Sequence, residues 1–321
     1  MKNILITGIT GQDGIFLTDL IIKKETKSNI VGISRSSSNK NFFKKLNYLN
    51  NLSKNNISLV NLELNNPSEV SNFIGDFKPD FVYNLTGPSS PSESIKNPET
   101  YKSIENIFEN LTKALIKSEN YCNFFQASSS EMYAENKDSL DEDSEYLPKS
   151  PYAIYKYKNH LKIQNLKKKF DWNIYSGIMF NHESEFRDSK YLIMSLINSA
   201  IQISNGQKNS FKVGSLDYIR DWSFAGDVAE AIYKITNFGK ESNYVIGSGN
   251  GHTIAKMIEI LFSQLELNYE EYIQIDKSLI RKGDPIRIVS NPSRLINELS
   301  WKPKLSFGEL VERCLSYRLK N

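Results

Sequence analysis

The side chains of this 321-residue chain that are best suited to proton transfer fall in two short stretches. The first is "SSSE", residues 128–131, which follows an apolar run typical of a buried strand. The second is "SPYAIYK", in which Tyr152 and Lys156 are four residues apart and therefore share one face of a helix. A free tyrosine titrates near pH ~10 and is a poor base, whereas a nearby ammonium favours the phenolate and lowers the pKa. These residues predict acid–base chemistry at the end of a strand.

Other tyrosines near Lys156 compete for the same role. Tyr155 and Tyr157 follow Tyr152 closely, and Lys158 comes three residues after Tyr155. Only Tyr152 has a lysine at the fourth following position and comes directly after the serine and proline that open the helix. We therefore predict that Tyr152 and Lys156 form the catalytic pair and that Lys158 is a cation on a solvated face.

A glycine-rich turn near the start of the chain predicts where a cofactor binds. Gly8, Gly11 and Gly14 form a G-x-x-G-x-x-G pattern between the apolar run "NILIT" and the helical pattern "IFLTDLIIKK". Glycine permits positive φ and lets the backbone approach a pyrophosphate, and the helix N-terminus adds free N–H groups. In this context the pattern indicates a dinucleotide site. The alternative is a glycine-rich turn without a ligand.

The end of the second strand indicates which dinucleotide binds. NAD sites usually place an acidic residue there to hold the ribose hydroxyls. Here the segment is "GISRSSS", and Arg35 with the hydroxyls that begin at Ser36 suits the 2′-phosphate of NADP. The alternative is that Arg35 is a solvated surface side chain. Glu63 and Leu64, after the third strand, are predicted to lie beside the adenine ring.

The elements that must position these residues alternate along the chain. Five apolar strand patterns, the last being "YCNFFQASS", are separated by helical patterns, and a sixth strand, "NIYSGIMFN", follows the Tyr152 helix. Such alternation argues for a parallel sheet with helices on both faces. We predict an α/β fold with a Rossmann-like doubly wound parallel sheet. Its cofactor domain is expected over residues 1–181 and a smaller C-terminal α/β substrate lobe over residues 182–321, with some exchange of chain between them.

Composition excludes several other classes of protein. The chain has 40 basic and 37 acidic side chains, a net charge of +3, which is too balanced for a protein whose main partner is a nucleic acid. Cys122 and Cys314 lack a CxxC spacing and the histidines are scattered, so neither a disulfide framework nor a metal site is expected. No signal peptide pattern opens the chain and no apolar run is long enough to span a bilayer, which favours a cytoplasmic protein without a membrane partner.

Together these motifs resemble the extended short-chain dehydrogenase/reductase family over nearly the full chain. The shared stretches are "TGITGQDG", "VYNLTG", "SSSEMY" and "YAIYK". Within that family the chain is most similar to the GDP-mannose 4,6-dehydratases. That similarity lies in "LITGITGQDG", "GISRSSS", "MFNHESEFR", "GSLDYIRDWSFAGDVAEAI" and the closing "RKGDPIRIVSNPSRLINELSWKPKLSF".

The resemblance implies that NADP is the cofactor and that a defined set of residues holds it. These residues are Gly8, Thr10, Gly11, Gln12, Asp13, Gly14, Arg35, Ser36, Glu63, Leu64, Leu85, Tyr152 and Lys156. The positive nicotinamide would lower the pKa of Tyr152 further. Because the reaction regenerates the cofactor in every turnover, the site need only hold it tightly.

The resemblance also implies the reaction. Ser129 matches the residue that hydrogen-bonds the sugar O4, and Tyr152 takes the proton from that hydroxyl while C4 gives up a hydride. Glu131 matches the base that removes the C5 proton, after which water leaves from C6 beside Ser130 and the hydride returns to C6. The expected product is a 4-keto-6-deoxy sugar nucleotide. The expected substrate contacts are Ser89, Asn181, Arg220 and Arg281.

Two of the polar side chains have structural alternatives. An arginine suits a bidentate contact with a diphosphate, which is the role implied for Arg220. Arg220 could instead form an ion pair with Asp217 or Asp221. His182 is expected to be structural and not catalytic.

The chain departs from the family pattern in three places. Ser129 replaces the usual threonine but keeps the hydroxyl. The stretch "TGPSSPSES" stands where the family has Ala-Ala-Gln-Ser lining the sugar pocket, so GDP-mannose, GDP-N-acetylglucosamine and a GDP-heptose all stay open as substrates. Ser36 replaces the second arginine of the NADP loop. That loop often makes a tetramer contact in the family, so a homodimer and a homotetramer both stay open.

Other functions share parts of this pattern. A Ser-Glu pair before a tyrosine also occurs in UDP-glucuronate decarboxylases, whereas 4-epimerases and 4-keto-6-deoxy sugar reductases share Tyr152 and Lys156 but have no need of Glu131. A protein of a different functional class, a non-catalytic NADP sensor, could also have this fold. Such a sensor would have no reason to keep Ser129, Glu131, Tyr152 and Lys156 together. The sequence therefore predicts a GDP-sugar 4,6-dehydratase.

Overall fold

The computed structural model describes residues 1–25, 27–35, 39–49, 57–134, 139–281 and 283–320. Its helices are α1 Gln12–Lys24, α2 Lys40–Leu49, α3 Pro67–Phe77, α4 Pro91–Lys96, α5 Pro98–Tyr101, α6 Ser103–Lys117, α7 Pro151–Phe170, α8 Leu192–Ser204, α9 Ala225–Phe238, α10 Ile254–Ser263, α11 Ser293–Leu299 and α12 Phe307–Lys320. Its strands are β1 Lys2–Thr7, β2 Ser28–Ile33, β3 Ile57–Val60, β4 Phe81–Asn84, β5 Asn123–Ala127, β6 Ile174–Met179, β7 Asn181–Glu183, β8 Phe211–Val213, β9 Ile219–Phe224, β10 Asn243–Ile246, β11 Gly251–Thr253, β12 Ile273–Ile275 and β13 Arg287–Ile288.

The main sheet is parallel throughout and follows the strand order β10-β6-β5-β4-β1-β2-β3. Every residue of β4 and β6 is buried, as expected for strands covered on both faces. The strand order reverses at β1, which pairs with β2 on one side and β4 on the other. The carboxyl ends of the strands leave a crevice for a ligand at such a point. The predicted Rossmann-like doubly wound sheet is confirmed.

Helices cover both faces of this sheet and bury apolar side chains against it. On one face α1 packs against α9, and Leu17 and Ile232 are fully buried. On the other face α3 packs against α6, and Ile74 and Leu111 are fully buried. Full burial of such a side chain contributes about 1.5–3 kcal/mol through loss of contact with water. These two layers fix the positions of the strand ends that carry the polar residues.

The residues after β6 do not form a separate block. The strand β10 pairs with β6 at the edge of the main sheet, although β7, β8 and β9 precede it along the chain. Two small sheets outside the main sheet form the centre of the smaller lobe. One has the strand order β11-β9-β13 and is joined by β7, which pairs with β9; the other pairs β12 with β8. A cofactor domain over residues 1–181 would therefore have to include β10. One residue separates the end of β6 from Asn181, the first residue of β7, so Asn181 lies where the two parts meet.

An ion pair fastens the last helix to the segment that follows β7. Arg313 of α12 donates from Nε and Nη2 to the two carboxylate oxygens of Glu185, at 2.9 and 2.5 Å. The Glu185 side chain is fully buried. Because α12 also packs against α8 and β9, this pair ties the end of the chain to the smaller lobe.

Candidate active site

The turn between β1 and α1 has the shape that a pyrophosphate requires. Gly8 has a φ of +70°, and a Cβ there would lie 3.0 Å from the carbonyl of Leu85. A Cβ on Gly14 would lie 2.5 Å from the backbone of Ile9, so glycine is needed for α1 to pack against the turn. Gly11 is the N-cap of α1 and provides no side-chain cap, which leaves first-turn N–H groups for an anion. The residues present therefore fit a dinucleotide.

The side chains of Gln12 and Asp13 in the first turn of α1 face β7. Gln12 Nε2 donates to the carbonyl oxygen of His182 at 3.0 Å, and Ser184 Oγ donates to Gln12 Oε1 at 2.9 Å. Asp13 Oδ1 lies 3.0 Å from His182 Nε2. These side chains join the turn to the smaller lobe, so any cofactor contact from them would come through their backbone N–H groups. Thr10 lies partly buried in the turn itself.

The contact between Asp13 and His182 shifts the pKa of each side chain toward its charged form. Burial opposes ionisation of Asp13, but attraction to His182 and Arg187 outweighs it and lowers the pKa of Asp13. Burial likewise opposes protonation of His182, and the Asp13 carboxylate outweighs it and raises the pKa of His182. His182 thus contacts the first turn of α1, and its structural role stays a prediction.

The residues expected at the far end of the cofactor follow the carboxyl ends of their strands. Arg35 is exposed in the bend after β2, and Ser36 lies outside the described residues. Glu63 is exposed and Leu64 is buried after β3, and Leu85 follows β4 with its N–H donating to the carbonyl of Thr7 at 3.2 Å. These positions surround the point at which the strand order reverses.

Tyr152 and Lys156 lie together near the start of α7. Ser150 caps this helix by accepting the N–H of Ala153 at 3.2 Å, and Pro151 occupies its first position. Both Tyr152 and Lys156 are buried, and Lys156 Nζ lies 5.7 Å from the centre of the Tyr152 ring. Lys156 Nζ also donates to the carbonyl of Ala127, the last residue of β5, at 2.7 Å. This bond ties α7 to the strand that leads into "SSSE".

Burial dominates the titration of both residues. Desolvation raises the pKa of Tyr152, and a hydrogen bond from Ser129 opposes it only in part. The expected lowering by the Lys156 ammonium is therefore wrong for the protein alone, because loss of water around the phenol has the larger effect. Desolvation lowers the pKa of Lys156 to about 8, and attraction to Asp13 opposes this shift.

The serines and Glu131 form a short turn directly after β5. Ser129 caps a one-turn 3₁₀ helix, Ser130–Met132, by accepting the N–H of Glu131 at 3.2 Å. Ser129 and Ser130 are buried, whereas a third of the Glu131 side chain is exposed. The turn places the Ser129 hydroxyl against Tyr152 and points Glu131 toward an open cleft.

That cleft brings residues from both parts of the molecule together. It encloses about 680 Å³ including its mouth, and Ser130 and Glu131 form one side. Asn181, Arg220 and Arg281, the three expected substrate contacts from the smaller lobe, line the same cleft. Its remaining lining residues are Ile95, Tyr133, Leu147, Lys149, Ser150, Gly283, Asp284, Pro285 and Ile288.

Arg220 forms an ion pair, but with neither of the carboxylates that the sequence suggested. Its Nη2 lies 3.1 Å from Asp284 Oδ1. Asp221 instead accepts hydrogen bonds from the backbone of Ser248 and from that of Ser290. Sequence reasoning missed Asp284, which contacts both Arg220 and Arg281. The sequence feature that could have indicated Asp284 is its position three residues after Arg281 in "RKGDP".

Ser89, the fourth expected substrate contact, is not among the residues that line the cleft. It is exposed, and its Oγ lies 2.5 Å from the hydroxyl of Tyr191. The Arg187 guanidinium stacks on the Tyr191 ring at 3.6 Å from its centre. Tyr191 and Arg187 both act electrostatically on Tyr152, which places this group beside the start of α7. Sequence reasoning missed Tyr191 and Arg187, and no motif signalled either.

The described residues form neither a metal site nor a membrane-spanning helix. No group of three or more histidine, cysteine, aspartate or glutamate side chains there is placed to hold a metal ion. No helix in the same part of the chain is both long and apolar enough to cross a membrane.

Comparison with known proteins identifies the family. A family model described as GDP-mannose 4,6 dehydratase matches residues 5–314. GDP-mannose 4,6 dehydratase 2 of Arabidopsis thaliana is 31% identical over 320 residues, which cover 97% of this chain and 85% of the relative.

Solved structures share the fold at lower identity. A UDP-glucose 4-epimerase from Thermotoga maritima superposes with a TM-score of 0.85 at 20% identity, covering 99% of both chains. A dTDP-glucose 4,6-dehydratase from Bacillus anthracis gives a TM-score of 0.85 at 19% identity, covering 100% of this chain and 97% of its own. On the match over residues 5–314, this chain belongs to the GDP-mannose 4,6 dehydratase family.

Proposed function

We propose that the protein is a GDP-sugar 4,6-dehydratase that works with NADP. The observation that carries this proposal is the position of Glu131. It faces the cleft that Arg220 and Arg281 line, on the turn that brings Ser129 against Tyr152. A 4-epimerase or a 4-keto-6-deoxy sugar reductase needs the Ser-Tyr-Lys set but no carboxylate at this position. Membership of the GDP-mannose 4,6 dehydratase family supports the same reaction.

The cofactor site is assigned to the glycine turn and the residues around it. The backbone of Gly8, Gly11 and Gly14 would hold the pyrophosphate, Arg35 the 2′-phosphate and Lys156 a ribose hydroxyl. When bound, NADP⁺ supplies a hydride acceptor for C4 of the sugar and the same hydride for C6. Leu64, buried beside the exposed Glu63, is assigned to the adenine end.

The first step assigned to the protein is removal of the proton from the sugar 4-hydroxyl. Ser129 hydrogen-bonds O4 and Tyr152 accepts its proton as C4 is oxidised to a ketone. Burial raises the pKa of Tyr152, so the phenol of the protein alone stays protonated at neutral pH. Positive charge nearby favours the phenolate. The Lys156 ammonium, fixed by its bond to the Ala127 carbonyl, provides such charge at one fixed position.

The second step is elimination of water. A ketone at C4 makes the C5 proton acidic, and Glu131 removes it. The hydroxyl at C6 leaves as water by taking from Glu131 the proton that this residue removed from C5, and Ser130 lies beside it. Glu131 suits this work because it is held at the cleft surface, 3.2 Å from Arg281, and still exposes a third of its side chain to the cleft.

The nucleotide end of the substrate is assigned to the smaller lobe. Arginine presents paired N–H donors to phosphate oxygens, and Arg220 and Arg281 lie within one network on the cleft wall. Asn181 adds an amide at the junction with the main sheet. We assign these three residues to the diphosphate and nucleoside, and Ser89 to the sugar. GDP-mannose is the first substrate to test, followed by GDP-N-acetylglucosamine and a GDP-heptose.

Mass spectrometry of sugar nucleotides after incubation with the protein and NADP⁺ tests this function. The panel contains GDP-mannose, GDP-N-acetylglucosamine, a GDP-heptose, UDP-glucuronate and UDP-N-acetylglucosamine. We expect loss of one water from a GDP-sugar. Loss of carbon dioxide from UDP-glucuronate would show a decarboxylase instead. Cytoplasmic localisation and assembly into a homodimer or homotetramer stay predictions.

A further inference from the structure

Four charged side chains in the cleft form one continuous series of ion pairs. Glu131 Oε1 lies 3.2 Å from Arg281 Nη2, and the same nitrogen contacts Asp284 Oδ1. That aspartate oxygen lies 3.1 Å from Arg220 Nη2. The exposed fraction falls from 33% for Glu131 to 13% for Arg220, so the Arg220 end of the series is the more shielded from water. Asp284 therefore bridges the two guanidiniums.

The guanidiniums that we assign to the diphosphate are thus already paired with carboxylates. Two arginines and two carboxylates sum to no net charge, so this network attracts an anion less strongly than two free arginines would. Arg220 is also fixed in direction, because its Nη1 donates to the carbonyls of Ile219 and Ile286 at 2.9 and 3.2 Å. Carboxylate and phosphate oxygens make similar bidentate contacts with guanidinium. The Asp284 carboxylate therefore lies between the two arginines, where it competes with a phosphate group for both.

We propose that Asp284 is a positioning residue that stands in for the diphosphate in the substrate-free site, and that arrival of the diphosphate releases Glu131 from Arg281. The inference rests on the proposed function, because Arg220 and Arg281 are diphosphate contacts only within it. One nitrogen, Arg281 Nη2, serves both carboxylates, so an added phosphate weakens its bonds to them. Glu131 is the most exposed of the four side chains and separates first. The base is thereby freed when substrate is in place.

A purely structural role for Asp284 predicts the opposite effect on binding. If Asp284 only builds the pair of arginines, its neutralisation disorders them and weakens nucleoside diphosphate binding. If it competes with the diphosphate, its neutralisation strengthens binding, because no carboxylate has to be displaced. A change of the same sign is expected for Glu131, whose neutralisation removes one of the two carboxylates that pair with Arg281 and leaves Asp284 in place.

Isothermal titration of GDP into the full chain with NADP⁺ present separates these roles. We expect Asp284→Asn and Glu131→Gln each to bind GDP about three- to tenfold more tightly than wild type. The matched control is Asp217→Asn, which removes one charge from an exposed position three residues before Arg220, outside the network. Its affinity for GDP should stay close to that of wild type.

Unchanged or weaker GDP binding by a folded Asp284→Asn protein would overturn the proposal, as would an equal gain in the Asp217→Asn control. Thermal unfolding shows whether Asp284→Asn folds. If Asp284→Asn does not fold, the test relies on Glu131→Gln. Unchanged or weaker GDP binding by that variant overturns the proposal. Failure of the proposed function is visible separately, because a wild-type protein that binds UDP and not GDP contradicts the GDP-sugar assignment. UDP then replaces GDP in the same comparison of variants.

Discussion

In the proposed function, Glu131 distinguishes this site from one that only oxidises and reduces a sugar. Changing Glu131 to Gln keeps the size of the side chain but removes the carboxylate that we propose as the base for the C5 proton. We expect the rate of water loss from the GDP-sugar to fall by about 10²–10⁴, the usual contribution of a general base. Mass spectrometry of initial rates measures it.

Glu145→Gln is the matched control, since it makes the same chemical change at an exposed residue of the following segment. It should retain the wild-type rate. A Glu131→Gln protein that eliminates water at a rate close to that of wild type would show that another group is the base.

Burial of the charged Lys156 side chain lowers the free energy of unfolding, and the size of this effect depends on pH. Burial lowers its pKa from 10.5 to about 8, so between these values the unfolded chain binds the proton more readily than the folded protein. The destabilisation is therefore complete below about pH 8 and is lost as the pH rises toward 10.5. In protein without cofactor, we expect Lys156→Met to raise the free energy of unfolding at neutral pH by about 1–3 kcal/mol. Urea unfolding across this pH range measures the difference.

The substitution leaves no buried carbonyl without a donor, because Gln126 Nε2 also donates to the Ala127 carbonyl at 2.9 Å. Lys158→Met on the exposed face of α7 is the control, and it should not raise the free energy of unfolding at neutral pH. A Lys156→Met protein less stable than wild type at neutral pH contradicts the account.

The β1–α1 turn depends on close packing between helix and loop. A Cβ on Gly14 would lie 2.5 Å from the backbone of Ile9, which cannot move aside as a flexible side chain could. We expect Gly14→Ala to shift α1 and lower the affinity for NADPH by at least about tenfold. Fluorescence titration with NADPH measures the affinity.

Gly75, inside α3, is the matched control because a Cβ there meets nothing within 4 Å. Gly75→Ala should leave the cofactor affinity unchanged and stabilise the protein by about 0.5–1 kcal/mol. Equal affinities for NADPH in the two variants would mean that the turn does not hold the cofactor.

The elements that were predictable from sequence are those specified by local patterns. The glycine spacing of the β1–α1 turn, the Ser150–Pro151 start of α7 and the apolar runs of the main strands each depend on neighbours in sequence. Contacts between side chains that are far apart in sequence leave no local pattern from which they could be predicted. The Arg281–Glu131 contact spans 150 residues, and Asp284 acquires its role only through that fold. The pKa of Tyr152 was misjudged for a related reason, because burial is a property of the packed molecule.

At the level of the complete chain, the last helix is fastened to the rest of the smaller lobe. The Arg313–Glu185 pair makes this connection and leaves Glu185 fully buried. Removing Arg313 leaves a buried carboxylate without its cation, so we expect Arg313→Ala to lower the free energy of unfolding by about 3–5 kcal/mol. Urea unfolding tests this, with Glu312→Ala on the exposed side of α12 as control. A loss no larger than that of the control would mean that the pair contributes little.

The arrangement of the whole molecule brings two parts of the chain to one cleft. The part built on the main sheet carries Ser129, Glu131, Tyr152 and Lys156, the residues that we propose for catalysis, and the smaller lobe carries Arg220 and Arg281. The strand β10 and the junction at Asn181 hold these parts in one structure. Sugar chemistry at one wall of the cleft can then be coupled to nucleotide binding at the other.

The most direct test of the account follows the hydrogen at C4 of the sugar. GDP-mannose, or the GDP-sugar that the panel identifies, is labelled with deuterium at C4 and incubated with the protein and NADP⁺. Internal hydride transfer predicts a 4-keto-6-deoxy product that keeps the deuterium, now at C6, when examined by nuclear magnetic resonance. Return of the deuterium to C4 in an isomerised sugar, or its loss from the product, would contradict a 4,6-dehydratase.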